Sequence, residues 1–514
     1  MKKNRIVFLI TFIPYLVQGQ SALDALRYSM NFYYGTARSV AMGNAFTALG
    51  GDFGALTINP AASAVYPYSE LIFSPSFHTT ITQSDFLNSS FKDSYTRLGI
   101  SNIGYVGSRS KPNYSGIVGY SFAFGYNGLD NYSGQSKFSG KTNQSSWLAA
   151  LAYNTNGIHA TDMDFNNNQN PFYSSSASWR SLLAWNTSLL DTIPGSGGRD
   201  YVGATEAFKA GVIEIPGTLR QDFYRKSVGN SGEYVFNFGL NFSHRLFLGV
   251  NLGLQSINYT TKERYSESVE NSHDFYQTQF LDFTHTYSLK CTGTGVNLKI
   301  GAILVPVDNF RLGFSISTPT WLQLDEEWEE TITANFSDYH QSLQSPLGEY
   351  SYQVKTPYRW NVGAAFTFGS LGAISFDYEK VAYNNIRLSS HGESINPFSN
   401  ENNYVIQEFN NTQNLRAGLE LNLSGEFSLR GGYAYYGNPE KNWGSNTHIA
   451  SLGIGMNWGK SFFCDMTFMQ QLSHKEFFTL YDDVYEGSQV VYPSPKGSQL
   501  LTSSKLFFSL GFRF

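Results

Sequence analysis

The chain has 514 residues and a net charge of −5, from 35 Lys and Arg against 40 Asp and Glu. This acidic balance argues against nucleic acid as a partner, since binding phosphates requires a basic surface. Aromatic residues make up 16% of the chain, charged residues only 15%, and glycine occurs 48 times. Many aromatics and glycines without long apolar runs favour a protein built from many short strands.

Residues 1–19 predict a cleaved secretory signal. Basic residues open the chain, an apolar stretch follows over 6–17, and Gly19 supplies a small residue at the expected cleavage site. The apolar stretch is too short to span a bilayer as a helix. No run of about 18 apolar residues follows, so we predict no spanning helix in the remainder of the chain.

Residues 20–66 differ in texture from the remainder. Residues 38–49 contain Ala, Met and Phe without strict alternation, and residues 52–58 repeat that texture before Asn59 and Pro60. We predict short helices that end at Pro60, because proline disfavours helical geometry in the residue before it. This compact, Ala- and Gly-rich segment is predicted to form a helical hatch, or plug.

Strict alternation of apolar and small or polar residues dominates from about residue 69 onward. Phe236, Phe238 and Leu240 share one face of a strand, while Asn237 and Gly239 share the other. The predicted strands number about fourteen. They cover residues 69–82, 94–107, 115–127, 233–244, 247–262, 282–304, 310–325, 350–368, 372–389, 404–423, 426–437, 446–458, 460–476 and 499–514.

Alternation alone also fits a soluble β-sandwich, but strand number and connections favour a membrane barrel. Bacterial outer-membrane barrels have an even number of strands, short periplasmic turns and long external loops. Residues 306–309, 424–425 and 459–460 form predicted tight turns, and the last strand alternates up to Phe514. We therefore predict an all-β, transmembrane antiparallel β-barrel over residues 67–514, with the hatch in its lumen.

One connection, 128–232, is much longer than the others and is predicted to be an external insertion. Residues 146–153 and 178–190 within it have the pattern of short helices. An external binding surface is one interpretation of this insertion.

Several charged residues fall on the predicted inward faces of neighbouring strands. They are Asp377, Glu379, Arg416, Glu420 and Arg430. Because these strands should pair, we predict a cross-strand charge network in the lumen. Such a network could govern permeation, but structural pairing of charges in a sheltered polar lumen is the favoured interpretation.

The apolar face changes parity within one predicted strand. Tyr287 and Cys291 place it on odd numbers, whereas Val296 and Ile300 place it on even numbers. Because the side-chain period of a strand is two, a change of phase requires a one-residue slip. We predict a β-bulge at residues 292–295, where glycines alternate with threonines.

A cluster of acidic residues surrounds Trp328 at a predicted external strand end. It comprises Asp325, Glu326, Glu327, Glu329 and Glu330. Divalent cations that bridge surface lipids would suit such carboxylates, but a solvated acidic loop is the favoured interpretation.

The run from Gly43 to Asp52, followed by Asn59-Pro60-Ala61, resembles the N-terminal hatch of the FadL/TodX family of outer-membrane transporters. The resemblance implies a fourteen-stranded barrel whose hatch carries an Asn-Pro-Ala motif. Family members pass long-chain fatty acids or other hydrophobic compounds inward without energy coupling. A displaced hatch and a kinked third strand are thought to open a route from the barrel into the bilayer.

The residues expected to form the hatch motif are Asn59, Pro60, Ala61, Gly43 and Asp52. Phe46, Phe53 and Leu56 are predicted to face a bound ligand, with simple packing of the hatch as an equal alternative.

The sequence has no GxSxG, HExxH, CxxC or phosphate-binding glycine loop, so we predict neither an enzyme nor a bound cofactor or metal. Its leading predicted function is passive transport of hydrophobic compounds such as long-chain fatty acids, through a hatch-gated barrel with a lateral exit. The expected partners are that ligand, outer-membrane lipids and, during biogenesis, the barrel assembly machinery. A barrel for protein secretion, assembly or surface binding is the main alternative, and a simple porin would need no plug.

Overall fold

A computed structural model describes most of the chain after the predicted signal. The described residues are 22–111, 115–165, 169–209, 212–390, 396–442, 444–459, 461–481, 483–486 and 489–514. The predicted signal over 1–19 and Lys460 of one predicted turn lie outside these residues.

Strands make up most of the structure, with an extended, hydrogen-bonded backbone. In chain order they are β1 (Glu70–Phe86), β2 (Ser89–Ser110), β3 (Ile117–Asn131), β4 (Gly134–Thr142), β5 (Leu190–Thr192), β6 (Tyr201–Gly203), β7 (Ala207–Lys209), β8 (Val212–Glu214), β9 (Leu219–Phe242), β10 (Leu246–Val269), β11 (Phe280–Val307), β12 (Phe310–Ser317), β13 (Trp321–Phe336), β14 (His340–Gln344), β15 (Gly348–Lys355), β16 (Arg359–Thr367), β17 (Gly372–Ala382), β18 (Arg387–Ser390), β19 (Asn411–Asn422), β20 (Phe427–Tyr436), β21 (Thr447–Trp458), β22 (Phe462–Thr479), β23 (Val484–Glu486), β24 (Gln489–Tyr492) and β25 (Lys496–Arg513).

The sheet closes on itself as an antiparallel barrel. Glu70 of β1 pairs with Val106 of β2 on one side and with Arg513 of β25 on the other. Interrupted strands such as β12 and β13 follow one another along a single position in the wall, since both pair with β11. Counted in this way, the described strands form fourteen positions, which confirms the predicted fold class.

The outer face of the barrel is apolar over the half that contains the start of β1 and the end of β25. Many apolar side chains on this face are between 43% and 71% exposed, as expected for a lipid-facing surface. Examples are Phe77, Phe236, Phe238, Leu252, Ile300, Leu415, Leu452 and Phe512. Among the described residues, no helix is long and apolar enough to cross a membrane.

The two ends of the barrel differ. At the end that carries the start of β1 and the end of β25, hereafter the short-turn end, strands follow one another closely, as at Val307 and Phe310 or at Asn422 and Phe427. The predicted tight turns at 306–309 and 424–425 are confirmed there. The opposite, long-loop end carries the 143–218 segment, helix α6 (defined below) and the β22–β25 connection.

The segment from Ala22 to Tyr66 lies inside the barrel. It contains helices α1 (Ala22–Ser29) and α2 (Ala37–Ala41) and the 3₁₀ helices Gly54–Thr57 and Pro60–Val65. Short helices were predicted here, with the last one ending at Pro60. The structure instead shows one 3₁₀ helix that ends at Thr57 and a further one that begins at Pro60. Proline suits the first helical position because its missing N–H has no partner there. We call residues 22–66 the hatch.

A cap covers the long-loop end and is built from the described residues of the 143–218 segment. It contains α3 (Trp147–Thr155), the 3₁₀ helix Ala160–Asp162, α4 (Pro171–Ser174) and α5 (Trp179–Asn186), together with β5 to β8. A helix forms at each of the two predicted places, with the hydroxyls of Ser146 and Ser178 accepting backbone N–H bonds at their starts. The second helix is shorter than predicted, because it ends at Asn186 and Leu190 begins β5. The ends of the 128–232 region are strand, namely the last residues of β3 with β4 at one end and the first part of β9 at the other.

Two buried carboxylates on the barrel wall hold the cap. Glu267 of β10 accepts the hydroxyl of Ser146 at 2.7 Å and the backbone N–H of Trp147 at 2.7 Å. Glu330 of β13 pairs with Arg180 of α5 at 3.2 Å and with His285 at 2.6 Å. The cap is therefore packed against the mouth of the barrel by charge-assisted contacts.

The predicted β-bulge at residues 292–295 is wrong. The pairing of β11 with β10 is unbroken from Asp282 to Leu304. Odd-numbered residues face inward throughout, with Tyr287 and Cys291 buried beside helix α1, while Val296 and Ile300 face outward. The apparent change of phase has a simple cause. Near the long-loop end the inward face of β11 is apolar, whereas near the short-turn end its outward face is apolar.

Two other expectations are corrected near the long-loop end. Residues 404–408, predicted as part of a strand, belong to helix α6 (Ser399–Glu408), which buries Val405 beside helix α1. The acidic residues around Trp328 lie on strand β13 and not in a solvated loop. Because side chains alternate along that strand, Glu326 and Glu330 point inward and are buried.

Candidate functional site: a hatch beside a gap in the barrel wall

Asn59 holds two parts of the hatch together and links them to the wall. Its side-chain amide donates to the carbonyl of Thr47 at 2.6 Å and to that of Ala302 on β11 at 3.2 Å. Its side-chain oxygen accepts the N–H of Ala61 at 3.0 Å, which caps the 3₁₀ helix begun by Pro60. Asn59 is fully buried and has no access to water. Loss of any of these hydrogen bonds would therefore leave a buried polar group without a partner.

Gly43 and Asp52 occupy tight positions in the hatch. Gly43 has φ +61°, and a Cβ there would lie 2.9 Å from the backbone of Tyr433, so only glycine fits. Asp52 accepts the Thr36 hydroxyl at 2.7 Å and the Gly54 N–H at 2.8 Å. Burial raises the pKa of Asp52, and the nearby Arg38 charge and these hydrogen bonds oppose that rise.

Phe46, Phe53 and Leu56 are fully buried in one apolar cluster of the hatch. The ring of Phe53 lies against Gly104 of β2, where an added Cβ would come within 2.3 Å of it. In the described structure none of the three lines the cavities defined below. In this state they pack the hatch against the wall, and contact with a ligand would require the hatch to move.

The predicted charge network forms in the lumen as two groups, and the hatch takes part in both. In the first group Arg416 lies 3.4 Å from Glu379 and 3.9 Å from Asp377. Asp377 accepts both the N–H and the hydroxyl of Thr47, at 2.8 and 2.6 Å. Glu379 accepts the hydroxyl of the hatch residue Tyr33 at 2.5 Å.

In the second group Arg430 lies 2.6 Å from Glu420 and 2.5 Å from Asp465. The hatch residue Arg38 donates to Glu420 at 2.8 and 2.9 Å, a bidentate pair. Sequence reasoning missed Arg38, Asp465 and Arg359, the last of which lies 3.3 Å from Glu379. The inward parity of Asp465 and Arg359 on their strands was the available signal.

The barrel wall has a gap beside the hatch. The ladder between β2 and β3 ends at the pair Asn102 and Asn127, whose side chains share a 2.8 Å hydrogen bond. Beyond that pair β3 continues against β9 and leads into β4, which also pairs with β9. Within the described residues no ladder joins the upper part of β2, residues 89–101, to β3 or β4.

The hatch follows β3 where β3 leaves β2. The N–H groups of Phe32 and Tyr33 donate to the carbonyl of Leu129 at 2.8 and 3.2 Å, and Tyr34 forms a β-bridge with Gly128. Asn127 donates to the carbonyl of Phe53 at 3.1 Å. Because these bonds join the hatch to the displaced strand, a shift of either would be transmitted to the other.

A cavity of about 1080 Å³ lies at the gap. It reaches from the lumen to the outer face, since outward residues of β2 and β9 line it together with inward residues of β3. Its lining includes Arg97, Leu98, Ile100, Asp130, Asn230 and Tyr234. Leu98 and Ile100 are 63% and 54% exposed, so the cavity meets the lipid-facing surface through an apolar edge. We call it the gap cavity.

A second cavity of about 390 Å³ lies in the lumen above the hatch, between helix α1 and the strands β1, β4 and β25. The two cavities share Tyr34, Asp130 and Asn131 in their linings. The amine of the buried Lys505 donates to the hydroxyl of Tyr34 and lies 3.7 Å from the centre of its ring. We call Tyr34, Asp130 and Lys505 the junction, because they lie between the two cavities.

No protein-family model matches the sequence, and no curated protein sequence matches it significantly. Solved structures share its architecture at low identity. The toluene transporter TodX of P. putida superposes with a TM-score of 0.52 at 14% identity, over 94% of this chain and 99% of that one. A FadL homologue of Pseudomonas aeruginosa gives a TM-score of 0.51 at 12% identity, over 94% and 98%.

These relationships and the apolar outer face define an outer-membrane β-barrel with an internal hatch. The chain has the fold of the FadL and TodX barrels, in agreement with the resemblance seen in the hatch sequence.

Proposed function

We propose that the protein is a passive channel that carries hydrophobic compounds across the outer membrane, with a lateral exit at the gap. The observation that carries this proposal is the gap cavity, which is continuous between the lumen and an apolar lipid-facing edge formed by Leu98 and Ile100. A hydrophobic molecule that leaves there enters lipid without crossing the remaining length of the polar lumen. The fold shared with a toluene transporter supports this proposal.

The proposed route starts at the long-loop end, which we assign to the cell exterior because outer-membrane barrels place long loops there. The ligand enters the upper cavity, passes the junction and reaches the gap cavity. Drug-sized ligands occupy pockets of about 300–1,000 Å³, and the gap cavity holds about 1080 Å³. Long-chain fatty acids are therefore our proposed ligand class, and a small aromatic compound would also fit.

The hatch, proposed as residues 20–66, would control this route. Arg38, Thr47 and Asn59 attach it to the wall, and Phe32 and Tyr33 attach it to β3. Movement of the hatch would therefore shift β3 and widen the junction at the same time.

The test blocks the gap and measures uptake. Ser231 is a buried residue of the gap cavity, so Ser231→Trp should fill part of the exit. The control is Leu415→Trp, which adds the same ring at a lipid-facing position of β19 that is 52% exposed. We expect Ser231→Trp to lower cellular uptake of a labelled long-chain fatty acid and of toluene, with the control unchanged. Uptake unaffected by Ser231→Trp would overturn the lateral exit, and wild-type protein without uptake of either probe would favour a secretion or assembly role.

A further inference from the structure

A group of cations lies on the outer surface of the barrel above its apolar zone. On β9 and β10 the outward residues are even-numbered, and the two strands pair without interruption from Leu219 to Val269. The same outward faces that carry Phe236 and Leu252 lower down therefore carry Lys226 and Lys262 nearer the long-loop end. All four side chains are exposed.

Four exposed cations of β4, β9 and β10 form two adjacent cross-strand rows. In one row Lys226 lies directly opposite Lys262. In the next row Tyr224 lies between Lys137 of β4 and Arg264 of β10. Strands are about 4.8 Å apart and alternate residues about 7 Å apart, so the four charges share a field of about 10 by 7 Å. We call Lys137, Lys226, Lys262 and Arg264 the outer basic patch.

Neighbouring cations differ from the patch in having acidic partners. Lys141 pairs with Glu270, Arg220 with Asp222 and Lys290 with Glu327. Within the described residues, members of the outer basic patch form no ion pair, and Lys137 and Lys226 lie over the rings of Phe91 and Tyr95. Like charges directly opposite each other on a sheet are destabilising. A bound anion would relieve the repulsion between Lys226 and Lys262.

The height of the patch identifies the source of that anion. Tyr234 and Leu254 face each other at the upper edge of the apolar surface, both exposed. Lys262 follows Leu254 by eight residues, which is about 20 Å along the axis of a tilted barrel. Because lipid headgroups extend only about 5–8 Å beyond the hydrocarbon core on each side, that height lies beyond the headgroups of a phospholipid, at the level of the larger sugar headgroup of a glycolipid. Hydroxyls of Thr286 and Ser288, opposite Arg264 and Lys262, add hydrogen-bond donors.

We propose that the outer basic patch binds the phosphate groups of an outer-leaflet glycolipid. The patch adjoins the gap, because Asn230 of the gap cavity lies four residues from Lys226 on the same outward face of β9. A glycolipid held there would stand beside the proposed lateral exit. The binding site itself does not depend on transport, so the two proposals fail separately.

The test compares two matched double variants of the full-length protein in detergent. Lys262→Gln with Arg264→Gln removes two charges from the patch and leaves the aromatic contacts of Lys137 and Lys226. The control, Lys111→Gln with Lys355→Gln, removes two exposed cations that lie outside the patch and its aromatic contacts. Binding of lipopolysaccharide is measured by microscale thermophoresis. Resistance to heating in detergent checks that each variant is folded.

We expect the patch variant to bind lipopolysaccharide about tenfold or more weakly, because each cation near an anionic lipid surface contributes on the order of a severalfold gain in affinity. The control variant should bind intact lipopolysaccharide as tightly as the wild type does. The wild type should bind enzymatically dephosphorylated lipopolysaccharide only weakly, with an affinity similar to that of the patch variant for the intact lipid. Equal binding by the patch variant and the wild type would overturn the proposal. Displacement by inorganic phosphate at equal phosphate concentration would also overturn it, since the site would then recognise free phosphate.

Discussion

The side-chain amide of Asn59 donates to the carbonyl of Thr47 at 2.6 Å, and Thr47 in turn donates twice to Asp377 on the wall. Residues from two turns of the hatch and one barrel strand are thereby linked in one buried chain of hydrogen bonds. Because unsatisfied buried polar groups are unfavourable, this chain favours one position of the hatch.

Asn59→Ala should loosen the hatch and leave the barrel intact. The change leaves the carbonyls of Thr47 and Ala302 without this donor, a local destabilisation of about 1–3 kcal/mol. We expect faster amide hydrogen exchange at residues 47–61, altered fatty-acid uptake and unchanged resistance to heating in detergent. Asn59→Asp is the informative second variant, since its carboxylate still accepts from Ala61 but cannot donate to Thr47. Normal exchange in both variants would contradict the role assigned to Asn59.

The contact between Phe53 and Gly104 predicts a strong effect from adding one methyl group. An ideal Cβ at Gly104 lies 2.3 Å from the Phe53 ring, so Gly104→Ala must displace that ring. Overpacking of this kind destabilises by about 1–3 kcal/mol. Gly99→Ala on the same strand is the control, because its Cβ meets only the Ser76 hydroxyl at 3.7 Å. We expect faster exchange around Phe53 in Gly104→Ala alone, and equal exchange in both variants would count against this packing.

Arg416 should be needed for the hatch to stay docked. It is fully buried beside Glu379 and Asp377. Arg416→Met leaves these carboxylates with less compensating charge, and breaking such a buried pair destabilises by about 3–5 kcal/mol. We expect a lower midpoint of thermal unfolding and faster exchange at Tyr33 and Thr47. An unchanged midpoint would show that Arg359 alone compensates Glu379.

The junction predicts two variants that should alter passage between the cavities. Tyr34→Phe removes the hydroxyl that accepts from Lys505, and Lys505→Met removes the buried amine. We expect both to raise the uptake of toluene relative to wild type, because each makes the junction less polar. Lys355→Met, an exposed residue of β15, serves as the control. Reduced or unchanged uptake in both junction variants would place the route elsewhere.

The cap should hold its neighbouring loop more firmly at acidic pH. The Glu206 carboxyl is buried, accepts the Gly203 N–H at 2.8 Å and lies 3.5 Å from the Tyr492 hydroxyl. Burial raises its pKa from 4.5 to about 7. The folded cap therefore keeps this proton between pH 4.5 and 7 while the unfolded cap loses it, so the stability of the folded cap falls as pH rises across that window.

Hydrogen exchange at residues 489–492 should accordingly be slower at pH 5 than at pH 8 after correction for the intrinsic rate. Glu206→Gln stays neutral and should remove this difference. Persistence of the difference in Glu206→Gln would assign it to another group.

Local periodicity determined much of this fold. The division of β9, β19 and β25 into an apolar and a polar face follows from alternation alone, because a strand turns successive side chains to opposite sides wherever it lies. The same rule placed Arg416, Glu420 and Arg430 in the lumen. Where the interior is also apolar, as at Tyr287 and Cys291, alternation misled, because parity identifies two faces without saying which one meets lipid.

Tertiary structure alone decided how the hatch and the wall meet. The bonds of Arg38 with Glu420 and of Asn59 with Ala302 join residues hundreds of positions apart, and their existence depends on barrel closure and strand register. Beyond the Asn102–Asn127 pair, β3 likewise leaves β2 and bonds instead with β9 and the hatch, where Tyr33 donates to Leu129. The sequence by itself determined the strands and the polarity of their faces, whereas the gap, the junction and the docked hatch arise only when all strands and the hatch pack together.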